Sequence, residues 1–254
     1  MALNFILSLY CWTVISVLTV ILGMFAIVSS YFGEKISQTI AKLWAKAILK
    51  ACFIKVNLTG AENLSFQKAY LIASNHQSYF DIFVLLSSLD LNFKFIAKAS
   101  LFKIPFLGRS MKRLGYISID RENLRNALKS VKKSTELIKN KTSILIFPEG
   151  TRSLDGKLLS FKKGGLNMFL KQGGITVLPV AIKGTVNILR KNSFSVRPCQ
   201  KVELHILKPI EALQNNKGLT SSGKEDGIIK AIEDEIREAL NKKASDDKIN
   251  DVIN

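Results

Sequence analysis

A short polar segment carries the residues best suited to proton transfer. His76 and Asp81 lie five residues apart, between the apolar runs 69–73 and 82–86. If both stood in one helix, this offset would turn Asp81 about 140° away from His76 around the axis. They can meet when His76 lies in the loop before the helix, with Ser78 as N-cap and Asp81 at the third helical position. The segment therefore predicts an acid–base pair at a junction between a strand and a helix.

The same residues also fit a purely structural interpretation. Ser-x-x-Asp before an apolar run is a capping-box pattern, and a histidine is often partly buried without any chemical role. The spacing of His76 and Asp81 leaves both interpretations open.

The composition restricts the class of partner. The 254 residues carry a formal net charge of +17 at pH 7, which favours nucleic acid, an acidic membrane surface or a phosphorylated substrate. Cys11, Cys52 and Cys199 are an odd set without Cys-x-x-Cys spacing, so we expect a reducing compartment and no disulfide or zinc framework. Only two histidines are present, which excludes a histidine-rich metal site, and no metal is expected.

The first 33 residues contain no charged side chain, and residues 5–32 are almost continuously apolar. At about 1.5 Å per residue, this run exceeds the bilayer core of about 30 Å, which predicts a membrane segment. A cleavable signal peptide fits less well, because no positive charge precedes the run. Gly23 leaves open a bend into two pieces that enter one leaflet.

A basic amphipathic helix is predicted directly after this segment. Apolar residues recur in steps of three and four from Ile40 to Ala51, while Lys42, Lys46 and Lys50 share another face. Such a helix is expected to lie in the anionic headgroup layer, and its lysines predict a cytoplasmic location. An ordinary surface helix packed on the domain is the alternative.

From residue 53 onward, short apolar or β-branched runs alternate with helical stretches. This alternation predicts an α/β fold with a mostly parallel sheet of about seven strands flanked by helices, preceded by an N-terminal helical membrane-anchoring motif. The predicted strands are 53–59, 70–73, 93–97, 115–119, 143–147, 176–182 and 202–207, and the clearest helices are 122–140 and 225–240. The predicted regions are 1–55 for membrane anchoring, 56–213 for a catalytic domain, and 214–254 for a C-terminal helix and polar tail.

Further candidate binding groups lie at the ends of predicted strands. Lys98 opens a segment that mixes cations with bulky apolar groups, and Arg121 either binds a phosphate or pairs with Asp120. Phe147-Pro148-Glu149-Gly150-Thr151-Arg152-Ser153 follows a buried strand, and ligands in α/β sheets collect beyond the carboxyl ends of strands. A turn of this composition is also compatible with no function.

Taken together, these segments resemble the glycerolipid acyltransferase family, in particular its members that act on 1-acyl-sn-glycerol-3-phosphate, also called lysophosphatidic acid. The resemblance covers about residues 56–207. It rests on four blocks in order, which are His76-x4-Asp81, the paired segments 98–108 and 115–121, the segment 147–153, and the proline segment 177–180.

The resemblance implies transfer of a fatty acyl group from acyl-CoA or acyl carrier protein to the 2-hydroxyl of lysophosphatidic acid. The product would be phosphatidic acid, and no separate cofactor is implied. His76 would act as general base and Asp81 would orient it, with backbone N–H groups around His76 as oxyanion donors. The residues implied in substrate binding are Lys98, Arg121, Glu149, Gly150, Thr151 and Arg152.

Two alternatives remain beside this interpretation. A related acyltransferase acting on glycerol-3-phosphate or another lysolipid would share the same motifs, whereas a non-catalytic basic membrane-binding protein belongs to a different class. The apolar N-terminus and the lack of a recognised nucleic-acid-binding motif disfavour a nucleic-acid partner. We expect a membrane location, with the catalytic domain on the cytoplasmic face and in contact with anionic lipids.

Overall fold

The structure is a computed structural model that describes residues 2–119, 124–212 and 221–242. Its helices are α1 (Ala2–Ser29), α2 (Glu34–Ala51), α3 (Phe80–Ser88), α4 (Leu107–Arg113), α5 (Leu124–Lys139), α6 (Lys163–Leu170), α7 (Thr185–Ile188) and α8 (Ser221–Asn241). Its strands are β1 (Lys55–Thr59), β2 (Leu71–Ser74), β3 (Phe93–Lys98), β4 (Ile117–Ile119), β5 (Ser143–Ile146), β6 (Thr176–Lys183), β7 (Lys201–Ile206) and β8 (Ile210–Glu211).

The strands form one sheet in the order β1-β7-β6-β2-β5-β3-β4, and β8 pairs with β6. All of these neighbours run parallel except for the β6–β7 and β6–β8 pairs. The predicted mostly parallel α/β fold is therefore confirmed, and each predicted strand is present with its ends within two residues. β8 has only two residues, which is too short to leave a periodic pattern in the sequence.

The central strands are apolar because helices cover both of their faces. Neighbouring residues point to opposite sides, so Leu71 and Ile72 of β2 belong to two separate hydrophobic clusters. Ile72 lies level with Leu145 and Leu178, and its cluster extends to α2 and α3. Leu71 belongs to the cluster that extends to α5, α6 and α8. Continuous apolar runs of this kind are typical of parallel strands buried on both faces.

α1 is a single helix that continues through Gly23, so the bend that the sequence left open is absent from it. Its length and composition suffice to cross a membrane, and it is the one described helix of which this is true. Its polar groups nevertheless bind the rest of the chain. The Gly23 carbonyl accepts a hydrogen bond from Ser110 Oγ (3.0 Å), and the Tyr31 hydroxyl accepts one from the Arg113 guanidinium (2.8 Å).

α2 buries a different stripe from the one that the sequence predicts. Ala41, Ala45 and Ile48 are buried, whereas Leu43 lies exposed. Lys42 forms an ion pair with Asp90 at 2.8 Å. The periodicity misled because α2 has apolar residues both toward α3 and toward its outer surface, so apolar character alone does not identify the buried face.

The C-terminal helix begins at Ser221, four residues before the predicted start. The predicted boundary at 213/214 and the residues from 243 onward lie outside the described part of the chain, as do Asp120 and Arg121.

Candidate active site

The segment that contains His76 leaves the sheet at the carboxyl end of β2. Backbone pairing of β2 with β6 reaches Ser74 and Val180, and the side chain of Asn75 continues it. The Asn75 amide nitrogen donates to the Ile182 carbonyl (2.8 Å), and its oxygen accepts from the Ile182 N–H (2.7 Å). These two bonds fix the exit direction of the chain at His76.

His76 and Asp81 meet as the loop-before-helix arrangement requires. His76 Nδ1 lies 2.7 Å from Asp81 Oδ2. The imidazole stacks on the Phe147 ring, with centroids 3.9 Å apart and planes 11° apart. Because Nδ1 is engaged by the carboxylate, Nε2 is the ring nitrogen able to accept a proton. The His76 side chain is 16% exposed, so part of the ring reaches solvent from a largely enclosed position.

Asp81 is fully buried, and its carboxylate accepts hydrogen bonds from several segments of the chain. Oδ2 also accepts from the backbone N–H groups of Gln77 (2.7 Å) and Ser78 (2.9 Å). α3 begins at Phe80, and Tyr79 before it already has helical dihedral angles (φ −64°, ψ −24°). Ser78 Oγ accepts from the Phe80 N–H (3.3 Å) and donates to the Leu189 carbonyl (2.8 Å), so Ser78 caps the start of the helix as predicted.

Thr185 supplies the remaining bond to the Asp81 carboxylate. It is fully buried at the start of α7, directly after β6, and its hydroxyl donates to Asp81 Oδ1 at 2.5 Å. The motif blocks do not include this residue. Its position just past the carboxyl end of a strand, in Gly184-Thr185, is the signal by which it could have been found.

Glu149 lies behind His76 and binds the backbone. One carboxylate oxygen accepts from the His76 N–H at 2.5 Å, and the other accepts from the Leu159 N–H at 2.9 Å. The side chain is buried. The sequence motifs predict that Glu149 binds substrate. Because both of its carboxylate oxygens bind backbone N–H groups, we assign it the role of positioning the His76 loop. The Ser153 N–H, which donates to the His76 carbonyl at 2.8 Å, ties the same two loops together.

Burial is the main reason that the pKa of Glu149 is raised to about 7. The two backbone hydrogen bonds lower this pKa, while the nearby carboxyl groups of Asp81 and Glu233 raise it further. The carboxyl groups of Glu149 and Asp81 thus both bind the backbone N–H groups of residues 76–78. Only one of them, Asp81, touches the imidazole.

The expected oxyanion donors are already engaged. The N–H groups of His76, Gln77 and Ser78 all donate to the carboxylates of Glu149 or Asp81. The prediction that these three N–H groups stabilise an oxyanion is therefore wrong, because each N–H has a single proton to donate. Any such donor has to come from elsewhere at this edge of the sheet.

The other predicted binding residues lie around the same sheet edge. Gly150 adopts φ 71°, which turns the chain beyond β5, and Thr151 is exposed beside it. The Arg152 guanidinium lies 3.7 Å from the centroid of the Tyr79 ring. Lys98, exposed at the end of β3, is separated from β2 by β5 and has no direct contact with the His76 loop among the described hydrogen bonds. Arg121 lies outside the described residues.

The described residues hold no group of three or more histidine, cysteine or acidic side chains arranged for a metal ion. An apolar pocket lies between α1, α2 and α4, with Thr19, Trp44 and Tyr116 among its lining residues. None of the predicted site residues lines it.

The sequence model of the Acyltransferase family matches residues 55–183, a span that includes the His76 loop, the Glu149 turn and all of β6. The chain belongs to the acyltransferase family. This span holds His76, Asp81, Glu149 and Arg152, whereas Thr185 lies two residues beyond it. The resemblance of the sequence motifs to this family is thereby confirmed.

Individual relatives agree with the family assignment. A chloroplastic 1-acyl-sn-glycerol-3-phosphate acyltransferase of Arabidopsis thaliana is 39% identical over 199 residues, which are 78% of this chain and 55% of the relative. The enzyme of that name from Borreliella burgdorferi is 33% identical over 71% of this chain and 72% of its own. The chain spans about half the length of the curated plant and algal relatives that it matches.

The fold also matches a solved structure. The crystal structure of a 1-acyl-sn-glycerophosphate acyltransferase from Thermotoga maritima superposes with a TM-score of 0.79 at 30% sequence identity. The match covers 93% of this chain and 94% of the other. Because it covers nearly the whole of both chains, the likeness extends beyond the 55–183 segment.

Thr185→Val should destabilise the protein by about 1–3 kcal/mol, because it leaves a buried carboxylate oxygen without its donor. Thr185→Ser keeps the hydroxyl and should cost less than half as much. Denaturation with urea in a nonionic detergent measures both changes. Wild-type stability of Thr185→Val, which keeps the methyl group and lacks only the hydroxyl, would show that the hydrogen bond to Asp81 contributes little.

Glu149→Gln should change how stability depends on pH. The folded-state pKa of Glu149, about 7, exceeds its ordinary value of 4.5, so its contribution to stability is complete below pH 4.5 and is lost as the pH rises through 7. Glutamine does not titrate. The free energy of unfolding of the wild type minus that of the variant should therefore fall by up to about 3 kcal/mol between pH 4.5 and 7.5. A difference that stays constant across this range would contradict the raised pKa.

Proposed function

We propose that the protein transfers a fatty acyl group from an acyl thioester to the 2-hydroxyl of lysophosphatidic acid, forming phosphatidic acid. The 2.7 Å contact between His76 Nδ1 and the buried Asp81 carboxylate carries this proposal, because it leaves Nε2 available as a base. The names of the relatives support the choice of acceptor. The donor is acyl-CoA or acyl carrier protein, and no further cofactor takes part.

The reaction needs no protein nucleophile. His76 Nε2 removes the proton from the 2-hydroxyl while that oxygen attacks the thioester carbonyl carbon. The tetrahedral intermediate then collapses, the carbon–sulfur bond breaks, and the thiolate takes the proton from the imidazolium. Asp81 holds the tautomer that presents Nε2 and stabilises the imidazolium while it exists.

We assign phosphate binding to the Arg152 turn, residues 147–153, which follows β5. Arg152 lies beside the His76 loop, because its guanidinium is 3.7 Å from the centroid of the Tyr79 ring, three residues along from His76. A guanidinium fork suits the phosphate oxygens, and stacking on a ring reduces the freedom that it loses on binding. Lys98, at the end of β3, would add positive charge, and Arg121 is a further candidate for phosphate binding. Glu149 and Gly150 shape the turn that presents Arg152.

The membrane location follows from α1. Its apolar side chains are largely exposed, as suits a lipid environment. Contacts from Ser8 to Gly23 join it to one side of the catalytic domain, and Tyr31, just after the helix, adds another. A helix held to the domain along its whole length would have to carry the domain into the bilayer in order to cross it. We therefore place α1 within one leaflet, with the catalytic domain on the cytoplasmic face.

His76→Ala should lower acyl transfer by about 10²–10⁴-fold, the usual effect of removing a general base. His205→Ala is the matched control, because the only other histidine bonds to Thr59 between β1 and β7. The assay supplies purified enzyme with paired thioester donors and with lysophosphatidate, glycerol-3-phosphate or another lysolipid, and identifies the product by mass spectrometry. Near-normal turnover by His76→Ala would exclude this mechanism, and preference for another acceptor would exclude this substrate.

Arg152→Ala should raise the KM for lysophosphatidate about 10–100-fold, as expected when a charged hydrogen bond is lost. The KM for the acyl donor should change much less. Steady-state kinetics with each substrate varied in turn separates the two effects. Equal increases in both values would indicate that Arg152 acts only by packing on Tyr79.

A further inference from the structure

A loop outside the family's motif blocks joins α1 to the candidate active site. The 189–197 loop begins at Leu189, whose carbonyl accepts from Ser78 Oγ. The Arg197 N–H donates to the Ile188 carbonyl at 2.8 Å and so brings the two ends of the loop together. Within the loop, Lys191 Nζ donates to Thr151 Oγ1 at 2.9 Å. The loop is therefore fixed to both the His76 loop and the Arg152 turn.

The outer part of the same loop is fixed to α1. The Phe194 carbonyl accepts from Ser8 Oγ (3.1 Å) and from Trp12 Nε1 (2.7 Å). The Val196 N–H donates to Ser8 Oγ at 2.9 Å. The backbone on either side of the Phe194 side chain is thus held in place by the helix.

The side chain of Phe194 is nevertheless 84% exposed. A single exposed apolar residue is ordinary, but this one is presented by a backbone with three hydrogen bonds to an apolar helix. Phe5 of α1, which is also exposed, lies three residues before Ser8 and therefore on the same face of the helix. Phe194 therefore extends the exposed apolar surface of α1 onto the catalytic domain.

Two arginines lie close to Phe194 in the sequence. Arg190 and Arg197 are exposed, and neither belongs to an ion pair among the described residues. Aromatic rings and basic side chains together are typical of surfaces at the membrane–water interface. The long aliphatic parts of arginine can lie along acyl chains while the guanidinium reaches a phosphate.

We propose that the 189–197 loop is a second membrane-binding element, in which Phe194 enters an anionic bilayer beside α1 while Arg190 and Arg197 bind lipid headgroups. The inference rests on the proposed membrane attachment of α1 and not on the proposed reaction. This attachment would fix the orientation of the protein on the membrane. In that orientation the Arg152 turn faces the headgroup layer, where a lysolipid presents its phosphate.

Site-directed spin labelling tests the depth of this loop. The background is Cys199→Ser, because Cys199 is exposed whereas Cys11 and Cys52 are buried. Labels are placed by Phe194→Cys, by Phe25→Cys on the exposed side of α1, and by Phe66→Cys. Phe66 is a matched control, since it is 76% exposed and precedes β2, at the sheet edge opposite to His76. Vesicles contain equal parts of phosphatidylcholine and phosphatidylglycerol.

On these vesicles, the labels at 194 and 25 should collide several-fold less with a water-soluble nickel chelate and more with oxygen. The label at 66 should not change. A label at 194 that stays as accessible to the chelate as the label at 66 overturns the proposal while α1 remains attached. If the label at 25 also stays accessible, the membrane attachment itself is wrong.

The arginines are tested in the Phe194→Cys protein. Arg190→Gln with Arg197→Gln should remove the difference in label depth between these vesicles and vesicles of phosphatidylcholine alone. A difference that persists contradicts headgroup binding by these two residues. Shielding of the label by an acidic acyl carrier protein, with no shielding by vesicles, would make the loop a protein-docking surface and overturn the proposal.

Discussion

The buried carboxylate of Asp81 is the constraint on which the site depends. A carboxylate removed from water is stable only when hydrogen-bond donors replace the water. Here they come from the imidazole of His76, from two N–H groups of the intervening loop, and from Thr185 beyond β6. The chain must therefore bring β2, α3 and β6 together at one point to bury this side chain. The same arrangement orients His76.

Glu149 applies a similar constraint from the neighbouring strand. By accepting from the His76 N–H, it joins the loop after β2 to the turn after β5. The turn that carries Arg152 is therefore positioned by the same contacts that position His76. This explains how one short segment can hold a carboxylate that faces inward and a guanidinium that lies against the Tyr79 ring. It also explains why the N–H groups of the His76 loop are unavailable to an oxyanion.

The attachment of α1 follows from its few polar groups. In an apolar environment an unsatisfied hydroxyl or indole N–H is costly, so each such group favours a fixed partner. Ser8 and Trp12 find theirs in the backbone of the 189–197 loop, and Tyr31 is bound by Arg113. These bonds make α1 part of the catalytic domain's surface. The position of the active site relative to α1 is consequently fixed within the chain itself.

The sequence by itself determined the elements and the chemistry of the dyad. Alternation of apolar runs with helical stretches predicted all seven longer strands, and the clearest runs were β2, β5 and β6, because strands buried on both faces are apolar almost throughout. The five-residue spacing required His76 to precede the helix, since helical geometry would separate the two side chains. The block from Phe147 to Ser153 placed Glu149 and Arg152 beyond a buried strand, where α/β sheets bind ligands.

Only the tertiary structure decided what each side chain touches. Glu149 faces the backbone, Thr185 binds Asp81, and Lys191 reaches Thr151 across 40 residues of sequence. α2 buries Ala41 and Ala45 and packs Trp44 against Phe83 of α3, whereas the more apolar Leu43 lies exposed. Such partners depend on how distant segments pack, and local periodicity carries no information about them. A hydrogen bond is set by distances of a few ångströms between chains that the sequence separates widely.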